Sequence, residues 1–251
     1  MIKGSEIRKA DFPIEPLLLD RWSPRAMSGE EIAEEELMRL FEAARWAPSS
    51  FNAQQWRALY ARRGTEHWPV FFDLLVETNK SWAKNAAALV LFISRKTFDY
   101  NNEPSITHSY DAGAASENFA LQGFRQGLVV HGMEGFDYER ARVQLRIPDE
   151  FHVEAMAAVG KPGAKELLPE KLQKRETPND RRKLTQSICE GPFRFRRKIA
   201  FQGSPGRQAS QLCRIIGSRL ADAIRQARRR LPGRQVGCLP TPRRNPRHAA
   251  Q

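Results

Sequence analysis

The chain has 251 residues, 41% of them hydrophobic, and a formal net charge of +12, so it is long enough to bury a core. No apolar run approaches the roughly 18 residues of a membrane-spanning helix, and the N-terminus has no apolar signal core. The three cysteines, Cys189, Cys213 and Cys238, form no CxxC pair, which argues against zinc and dithiol sites and favours a cytoplasmic location.

The positive charge lies in the last part of the chain. Residues 194–251 hold fourteen arginines and one lysine against one acidic residue, Asp222, whereas residues 1–193 hold 26 basic and 28 acidic residues. The positive net charge therefore comes from the tail, and the rest of the chain is close to neutral.

This division predicts a globular domain at 1–195 and a basic, arginine-rich tail at 196–251 that is partly helical or disordered. The tail leaves non-specific nucleic-acid binding open. Aromatic side chains for base stacking are limited to Phe195 and Phe201, so this function is disfavoured. A lineage-specific extension and a shifted reading frame both stay open as origins of the tail.

The first strong element is a helix between Met27 and Pro48. Ser28 and Glu31 have the spacing of a capping box, and Pro48 ends the helix because it lacks an N–H group. Apolar residues follow at helical spacing: Leu37, Leu40, Phe41 and Ala44. The alternating "WRALYARR" then predicts a strand, and "EHWPVFFDLLVETN" predicts a helix with its proline in the first turn.

The second half alternates strands with helices. "AALVLFIS" (87–94) predicts a buried central strand, and "SYDAGAASENFALQGFRQG" predicts a long helix whose small residues allow close packing. "LVVHGM" and "HVEAMAAVGKPG" predict two further strands, separated by the short helix "DYERARVQLRI". "KELLPEKLQKRETPNDRRKL" predicts a polar loop. This order favours an α/β sheet of two or three layers.

Two stretches carry side chains suited to binding. Arg21, Ser23 and Arg25 alternate, so in an extended segment two guanidinium groups and a hydroxyl face one way, as a phosphate ester requires. Asn52 and Gln54 also alternate, and amides suit a ring edge that presents both donors and acceptors. Spacing alone still favours a solvated loop and a polar turn.

Common catalytic and nucleotide motifs do not occur in the sequence. It contains no GxGxxG after a strand, no GxxxxGK[ST], no HExxH and no GxSxG. The five histidines are scattered, and each alone is more typical of a structural or exposed position.

Taken together, these stretches resemble the nitroreductase family of FMN-dependent oxidoreductases. "EAARWAPSSFNAQQWR" is similar to the family's "AxxAPSxxNxQPW" signature and follows the Arg-x-Ser-x-Arg segment. "DAGAASENFALQGFRQGLVVHGMEGFD" resembles its long central helix and glycine turn. "AMAAVGKPG" resembles its "GxP" strand end, and "DRRKL" resembles its basic pair before leucine. The resemblance covers about Leu17 to Phe195.

The resemblance implies an α+β fold, with a central, mostly antiparallel sheet surrounded by helices. It also implies a homodimer with two FMN sites at the interface. NAD(P)H would reduce the flavin and leave before an oxidant, such as a nitroaromatic or a quinone, enters the same pocket. No catalytic side chain and no metal are expected, because the flavin carries the redox chemistry.

The resemblance also implies which residues bind the phosphate and ribityl chain of FMN. Those near the N-terminus are Arg21, Trp22, Ser23, Pro24 and Arg25. Arg181 and Arg182 would complete the phosphate clamp. Two to four arginines neutralise a phosphate monoester, which carries nearly two negative charges.

The flavin ring would contact three other segments. Asn52 and Gln54 would meet the ring or the ribityl chain, and Gly160 would line the ring face. The residues expected to approach the partner subunit's flavin are Pro48, Ser49 and Ser50. Those expected to offer backbone groups near N5 and O4 are Met133, Glu134 and Gly135.

The sequence departs from the family pattern at several points. Gln55 stands where the signature has proline, and the proline expected in the basic motif is either replaced by Lys183 or deleted. "CEGPFRF" is followed by the basic tail, whereas the family ends soon after this point. A flavin-binding member with another role, such as dehalogenation, flavin storage or flavin fragmentation, therefore stays open as an alternative.

Overall fold

The computed structural model describes residues 2–195 of the chain. Its helices are α1 (Pro16–Asp20), α2 (Glu34–Arg45), α3 (Trp68–Asp73), α4 (Glu77–Ala83), α5 (His108–Arg125), α6 (Tyr138–Gln144) and α7 (Glu170–Gln173). Its strands are β1 (Trp56–Arg62), β2 (Ala88–Arg95), β3 (Val129–Met133) and β4 (Phe151–Gly160). The predicted tail at 196–251 lies outside the described residues, so the division at residue 195 stays a prediction.

The four strands form one sheet in the order β1-β2-β4-β3, and every neighbouring pair is antiparallel. Helices lie on both faces of this sheet. The structure therefore confirms the α+β class and the antiparallel sheet that the resemblance implied. No helix within residues 2–195 is long and apolar enough to cross a membrane.

The central strand β2 is buried on both faces because successive side chains point in opposite directions. Leu91 lies in one apolar cluster with Trp82 of α4, while Phe92 lies in the other. There the Phe92 ring meets Phe119 of α5 edge-on at a centroid distance of 5.5 Å. This two-sided burial explains why the sequence of β2 is a continuous apolar run.

Helix α2 begins six residues after Ser28, so the capping box predicted at Ser28 and Glu31 is wrong. The observed start is at Glu34, and Glu36 Oε2 accepts a hydrogen bond from the Ala33 N–H at 2.9 Å. Ser28 Oγ instead accepts from the Glu30 N–H at 3.1 Å, within a turn in which Gly29 has a φ of 83°. That φ is incompatible with a right-handed helix.

The segment predicted as one helix, "EHWPVFFDLLVETN", forms two helices, α3 and α4. Leu75 pairs with Phe136 in an isolated antiparallel bridge. The Val76 N–H donates to the Gly135 carbonyl at 3.1 Å, and the Asp137 N–H donates to the Leu74 carbonyl at 2.9 Å. Contacts with the turn after β3 therefore interrupt a helix that local sequence favours.

Two glycines of α5 should respond oppositely to alanine. A Cβ at Gly123 would lie 2.5 Å from Val130 Cγ2, so Gly123→Ala should lower the free energy of unfolding by about 1–3 kcal/mol. Among residues 2–195, a Cβ at Gly113 meets no atom within 4 Å outside the local helix backbone, so Gly113→Ala should raise it by about 0.5–1 kcal/mol. Urea unfolding of both variants tests the pair. Equal destabilisation would contradict the packing described for α5.

Candidate cofactor site

Backbone hydrogen bonds hold the Arg21–Arg25 segment in place after α1. Just beyond it, the Ser28 N–H donates to the Lys161 carbonyl and the Gly163 N–H donates to the Ala26 carbonyl, each at 3.0 Å. The end of β4 therefore supports this stretch of chain.

A buried carboxylate fixes the same segment from the other side. Glu176 is 6% exposed, and its Oε1 accepts from the N–H groups of Arg25 and Ala26 at 2.6 and 2.7 Å. Two neighbouring N–H groups donate to one carboxylate oxygen, which fixes the backbone from which the Arg25 side chain projects.

The segment lines a cavity of about 540 Å³ rich in arginine. Its lining residues are Arg8, Arg21, Trp22, Ser23, Arg25, His131, Arg175, Thr177, Asn179 and Arg181. Five of these ten side chains are arginines and none is acidic. Such a cavity, called the arginine cavity below, attracts anions.

Arg21 is oriented by two partners. Its Nη1 donates to Ser23 Oγ at 3.2 Å, and its Nε lies 3.3 Å from Glu117 Oε1 on α5. The Arg21 side chain is 16% exposed, whereas Glu117 is 53% exposed at the rim. Within residues 2–195 the Arg25 guanidinium has no hydrogen-bonding partner, so its donors are available to a ligand.

His131, at the centre of β3, contributes a neutral imidazole to the cavity. Its Nδ1 lies 2.9 Å from the Pro24 carbonyl oxygen, so Nδ1 carries the proton and donates. The ring also packs on Trp82 at a centroid distance of 4.7 Å. Burial lowers the pKa of His131 to about 4. The charges of Arg25 and Arg21 lower this pKa further, while hydrogen bonds to the Pro24 and Ser23 carbonyls oppose the shift.

The other predicted phosphate-site residues lie close by. Trp22 and Pro24 are buried, and the Trp22 Nε1–H donates to the Ile2 carbonyl at 2.8 Å. Arg181 lines the arginine cavity. Arg182 lines a neighbouring groove of about 430 Å³ together with Arg181 and Lys183, so only Arg181 of the basic pair lines the arginine cavity itself.

The loop from Pro48 to Gln54 has an unusual backbone. Phe51, Asn52 and Gln54 have φ values of 52°, 52° and 51°, in the left-handed region that non-glycine residues rarely adopt. The Ser50 N–H donates to Asp111 Oδ2 of α5 at 3.1 Å and anchors the loop. This backbone is consistent with a functional constraint on the loop.

The predicted site residues of the loop also form hydrogen bonds with one another. Ser49 Oγ accepts from the Gln54 N–H at 3.0 Å, and Gln54 Nε2 donates to the Asn52 carbonyl at 3.1 Å. Within this single chain, Pro48, Ser49, Ser50, Asn52 and Gln54 do not line the arginine cavity.

Gln55, which replaces the signature proline, stabilises the start of β1. Its side chain is 1% exposed, and its Nε2 donates to the Thr97 carbonyl at 3.1 Å. Its carbonyl accepts from the Arg95 N–H at 2.9 Å. The buried Gln55 therefore links the start of β1 to the residues at and after the end of β2. A proline at this position would instead have restricted the backbone directly.

The turn after β3 and the end of β4 do not line the arginine cavity either. Met133 is buried, Glu134 is exposed, and the Gly135 carbonyl accepts from Asn79 Nδ2 at 3.0 Å. A Cβ at Gly160 would lie 3.1 Å from Met27 Sδ, so packing alone explains that glycine.

Several cavity residues were not predicted as site residues from the sequence: Arg8, His131, Arg175, Thr177 and Asn179. Arg8 precedes the stretch that resembles the family, and the 175–179 segment was interpreted only as a polar loop. His131 lies in an apolar strand, where a lone histidine is more often structural. Only the fold brings these residues to the Arg21–Arg25 segment.

Three comparisons agree with this structure. A model described as the nitroreductase family matches residues 18–78. A solved "oxidoreductase containing FMN" is 44% identical, covers 75% of this chain and 97% of its own, and superposes with a TM-score of 0.73. A candidate nitroreductase from Desulfovibrio desulfuricans, in complex with FMN, is 23% identical, covers 74% and 100% of the two chains, and has a TM-score of 0.58.

A curated relative extends the match at the sequence level. An uncharacterized 15.4 kDa protein of Mycolicibacterium smegmatis is 30% identical over 118 residues, which are 47% of this chain and 78% of the relative. The match to the solved oxidoreductase, at 44% identity over nearly its whole length, supports the same family as the sequence motifs and the antiparallel sheet. The chain therefore belongs to the nitroreductase family.

Proposed function

We propose that this chain is an oxidoreductase that binds FMN and holds the cofactor's phosphate in the arginine cavity. The observation that carries the proposal is the cavity itself, where five arginines and no acidic side chain surround about 540 Å³. The FMN-containing structure at 44% identity supports the same cofactor. A phosphate monoester carries nearly two negative charges, so the donor set fits this group.

The residues of the cavity have distinct tasks in this proposal. Arg21 and Arg25 would bind the phosphate by charge-assisted hydrogen bonds, and Arg181 would close the cavity from the 175–181 segment. Ser23 Oγ would add a hydroxyl. Neutral His131 would supply an Nε2 lone pair that can take up a proton when the nearby charge becomes negative.

In this proposal, a second copy of the chain completes the ring end of the site. The loop of Pro48–Gln54 and the turn of Met133–Gly135 do not line the arginine cavity within one chain. Large exposed apolar side chains lie in the loop or near it and its Asp111 anchor in sequence, namely Trp46, Phe51, Ile106 and Tyr110. An exposed apolar surface of this kind is typical of an interface. We therefore propose a homodimer in which the loop approaches the partner's cofactor.

Bound FMN would supply the redox chemistry, namely hydride uptake from NAD(P)H and electron transfer to an oxidant such as a nitroaromatic or a quinone. The protein orients the cofactor, excludes water and supplies hydrogen bonds at the ring edge. Backbone groups of Met133, Glu134 and Gly135 and the amides of Asn52 and Gln54 are the candidates for those bonds. Successive use of one pocket by both substrates is the ping-pong order that the family resemblance implies.

Anaerobic flavin reduction tests this function. Protein loaded with FMN is mixed with NADH or NADPH, and the oxidised flavin absorbance is followed before and after a quinone or a nitroaromatic is added. We expect bleaching by at least one nicotinamide cofactor and recovery with the oxidant. Bound FMN that NAD(P)H does not reduce would favour dehalogenation, flavin storage or flavin fragmentation instead.

Glu117 offers a smaller test of the phosphate position. Its carboxylate competes with a bound phosphate for Arg21 and adds a negative charge at the rim. Glu117→Gln should therefore lower the Kd for FMN by about 1.4- to fivefold, in line with the roughly 0.2–1 kcal/mol of exposed ion pairs. Flavin fluorescence titration measures the change, with Glu35→Gln on α2 as a matched control. Weaker FMN binding by Glu117→Gln would contradict this competition.

A further inference from the structure

Arg8 is a buried guanidinium that connects three separate parts of the chain. It is 6% exposed, and its Nε donates to the Asn179 carbonyl at 2.8 Å. Its Nη1 donates to the carbonyls of Leu19 and Arg21 at 3.0 and 2.7 Å. One side chain near the N-terminus therefore holds the end of α1, the Arg21 backbone and the 175–181 segment together.

Arg8 has no carboxylate partner within residues 2–195. Burial lowers the pKa of Arg8, the charges of Arg181 and Arg21 lower it further, and Asp180 opposes the shift. A guanidinium nevertheless keeps its proton in proteins. A buried cation beside further cations is unfavourable unless carbonyl acceptors and an anion compensate it. The carbonyls of Asn179, Leu19 and Arg21 are the acceptors, and an anion in the cavity would supply the compensating negative charge.

The N-terminal turn is shaped to accept this arrangement. The Arg8 N–H donates to the Gly4 carbonyl at 2.8 Å. A Cβ at Gly4 would collide with the Leu19 carbonyl oxygen and lie 2.9 Å from Arg8 Nη1. Only glycine at this position lets the turn approach α1 while Arg8 keeps its hydrogen bonds. Gly4 is therefore constrained chiefly by the Leu19 carbonyl, the same group that accepts a hydrogen bond from Arg8 Nη1.

We infer that Arg8 is a positioning residue of the anion site. By bonding the carbonyls of Arg21 and Asn179, it sets the separation between the two walls that carry the Arg21 and Arg181 side chains. The inference rests on the proposed function for the identity of the anion as the FMN phosphate. It assigns a role to a residue that precedes every motif of the family resemblance.

Comparison of FMN with riboflavin, which lacks the phosphate, isolates this role. Both Kd values are measured for the unchanged protein, Arg8→Lys, Arg8→Gln and the exposed-surface control Arg39→Gln. We expect the preference for FMN to fall at least about tenfold in both Arg8 variants, because lysine keeps the charge but lacks the planar fork. Riboflavin affinity should change less than about twofold, and the control should match the unchanged protein.

A purely structural role would lower the unfolding temperature of the Arg8 variants and leave the FMN-to-riboflavin preference intact, which would overturn the inference. Gly4→Ala gives a second route, since it displaces Arg8 without changing any charge, and it should reduce the same preference. An unchanged preference in Gly4→Ala would also count against Arg8.

Inorganic phosphate separates failure of this inference from failure of the proposed function. If the unchanged protein binds no FMN, the proposed function fails. In that case a rise in its unfolding temperature with phosphate, absent in Arg8→Lys, would still support Arg8 as the positioning residue. If the unchanged protein binds no FMN and is not stabilised by phosphate either, both the proposed function and the inference about Arg8 fail.

Discussion

Replacing Arg21 and Arg25 together by alanine is expected to raise the Kd for FMN by about 100- to 10,000-fold. Each arginine would make a charge-assisted hydrogen bond worth about 1.5–3 kcal/mol, and about 1.4 kcal/mol corresponds to a tenfold change in Kd. Arg21 is held by Ser23 and Glu117, and Arg25 projects from a backbone fixed by Glu176. The Arg21 side chain and the Arg25 backbone are therefore already in place before an anion enters.

Fluorescence titration of FMN against the Arg21→Ala/Arg25→Ala variant measures this effect. Riboflavin serves as the ligand control, because it lacks the phosphate and should be affected far less. Arg39→Ala on α2 serves as the protein control, since Arg39 is 55% exposed and, within residues 2–195, pairs only with Glu35 one turn earlier. FMN affinity within about threefold of the unchanged protein would show that the phosphate binds elsewhere.

Lowering the pH from 7.5 to 5 is expected to reduce the free energy of unfolding by about 2 kcal/mol through His131 alone. The folded pKa is about 4, below the usual 6.5, so both states are neutral above pH 6.5 and the full stability is present there. Between pH 6.5 and 4 the unfolded chain binds a proton that the folded chain does not, so stability falls. Below pH 4 both states are protonated, and the loss levels off near 3 kcal/mol.

Urea unfolding at several pH values measures this loss for the unchanged protein and for His131→Asn. Asparagine keeps a donor for the Pro24 carbonyl and does not titrate, so its pH dependence should be weaker by about 2 kcal/mol over this range. His67→Asn is the matched control, because the His67 side chain is 70% exposed. Parallel curves for the unchanged protein and His131→Asn would contradict the assignment.

The elements that could be predicted from sequence are those whose signal is local. The apolar run of β2 and the small-residue pattern of α5 each correspond to an element of the structure. The start of α2 could not be predicted, because Gly29 turns the chain and the Arg63 guanidinium donates to its carbonyl from a distant strand end. The break between α3 and α4 has the same origin, since the Gly135 carbonyl is contributed by a turn 59 residues after Val76.

The lining of the arginine cavity could be predicted only where spacing and resemblance coincide. Alternation placed Arg21, Ser23 and Arg25 on one side of an extended segment, and all three line the arginine cavity. Arg8 and His131 carry no such signal, because their roles arise from carbonyl groups of Arg21, Asn179 and Pro24. Every residue has a backbone carbonyl, so the amino-acid sequence does not show which carbonyls Arg8 and His131 bind. Only the folded structure shows the roles of these two residues.

The polar loop of Pro48–Gln54 is still assigned by resemblance. Its left-handed backbone at Phe51, Asn52 and Gln54 and its anchor on Asp111 show that the loop has a defined shape. In the proposed homodimer, this loop would contact the partner subunit's cofactor. Its role beside a cofactor therefore depends on the proposed homodimer.

A crystal structure of the protein grown with FMN tests the central claim most directly. The account predicts density for the cofactor's phosphate inside the arginine cavity, within hydrogen-bonding distance of the Arg21 and Arg25 guanidinium groups. A flavin whose phosphate lies elsewhere, or an arginine cavity without a phosphate in crystals that contain bound FMN, would contradict it.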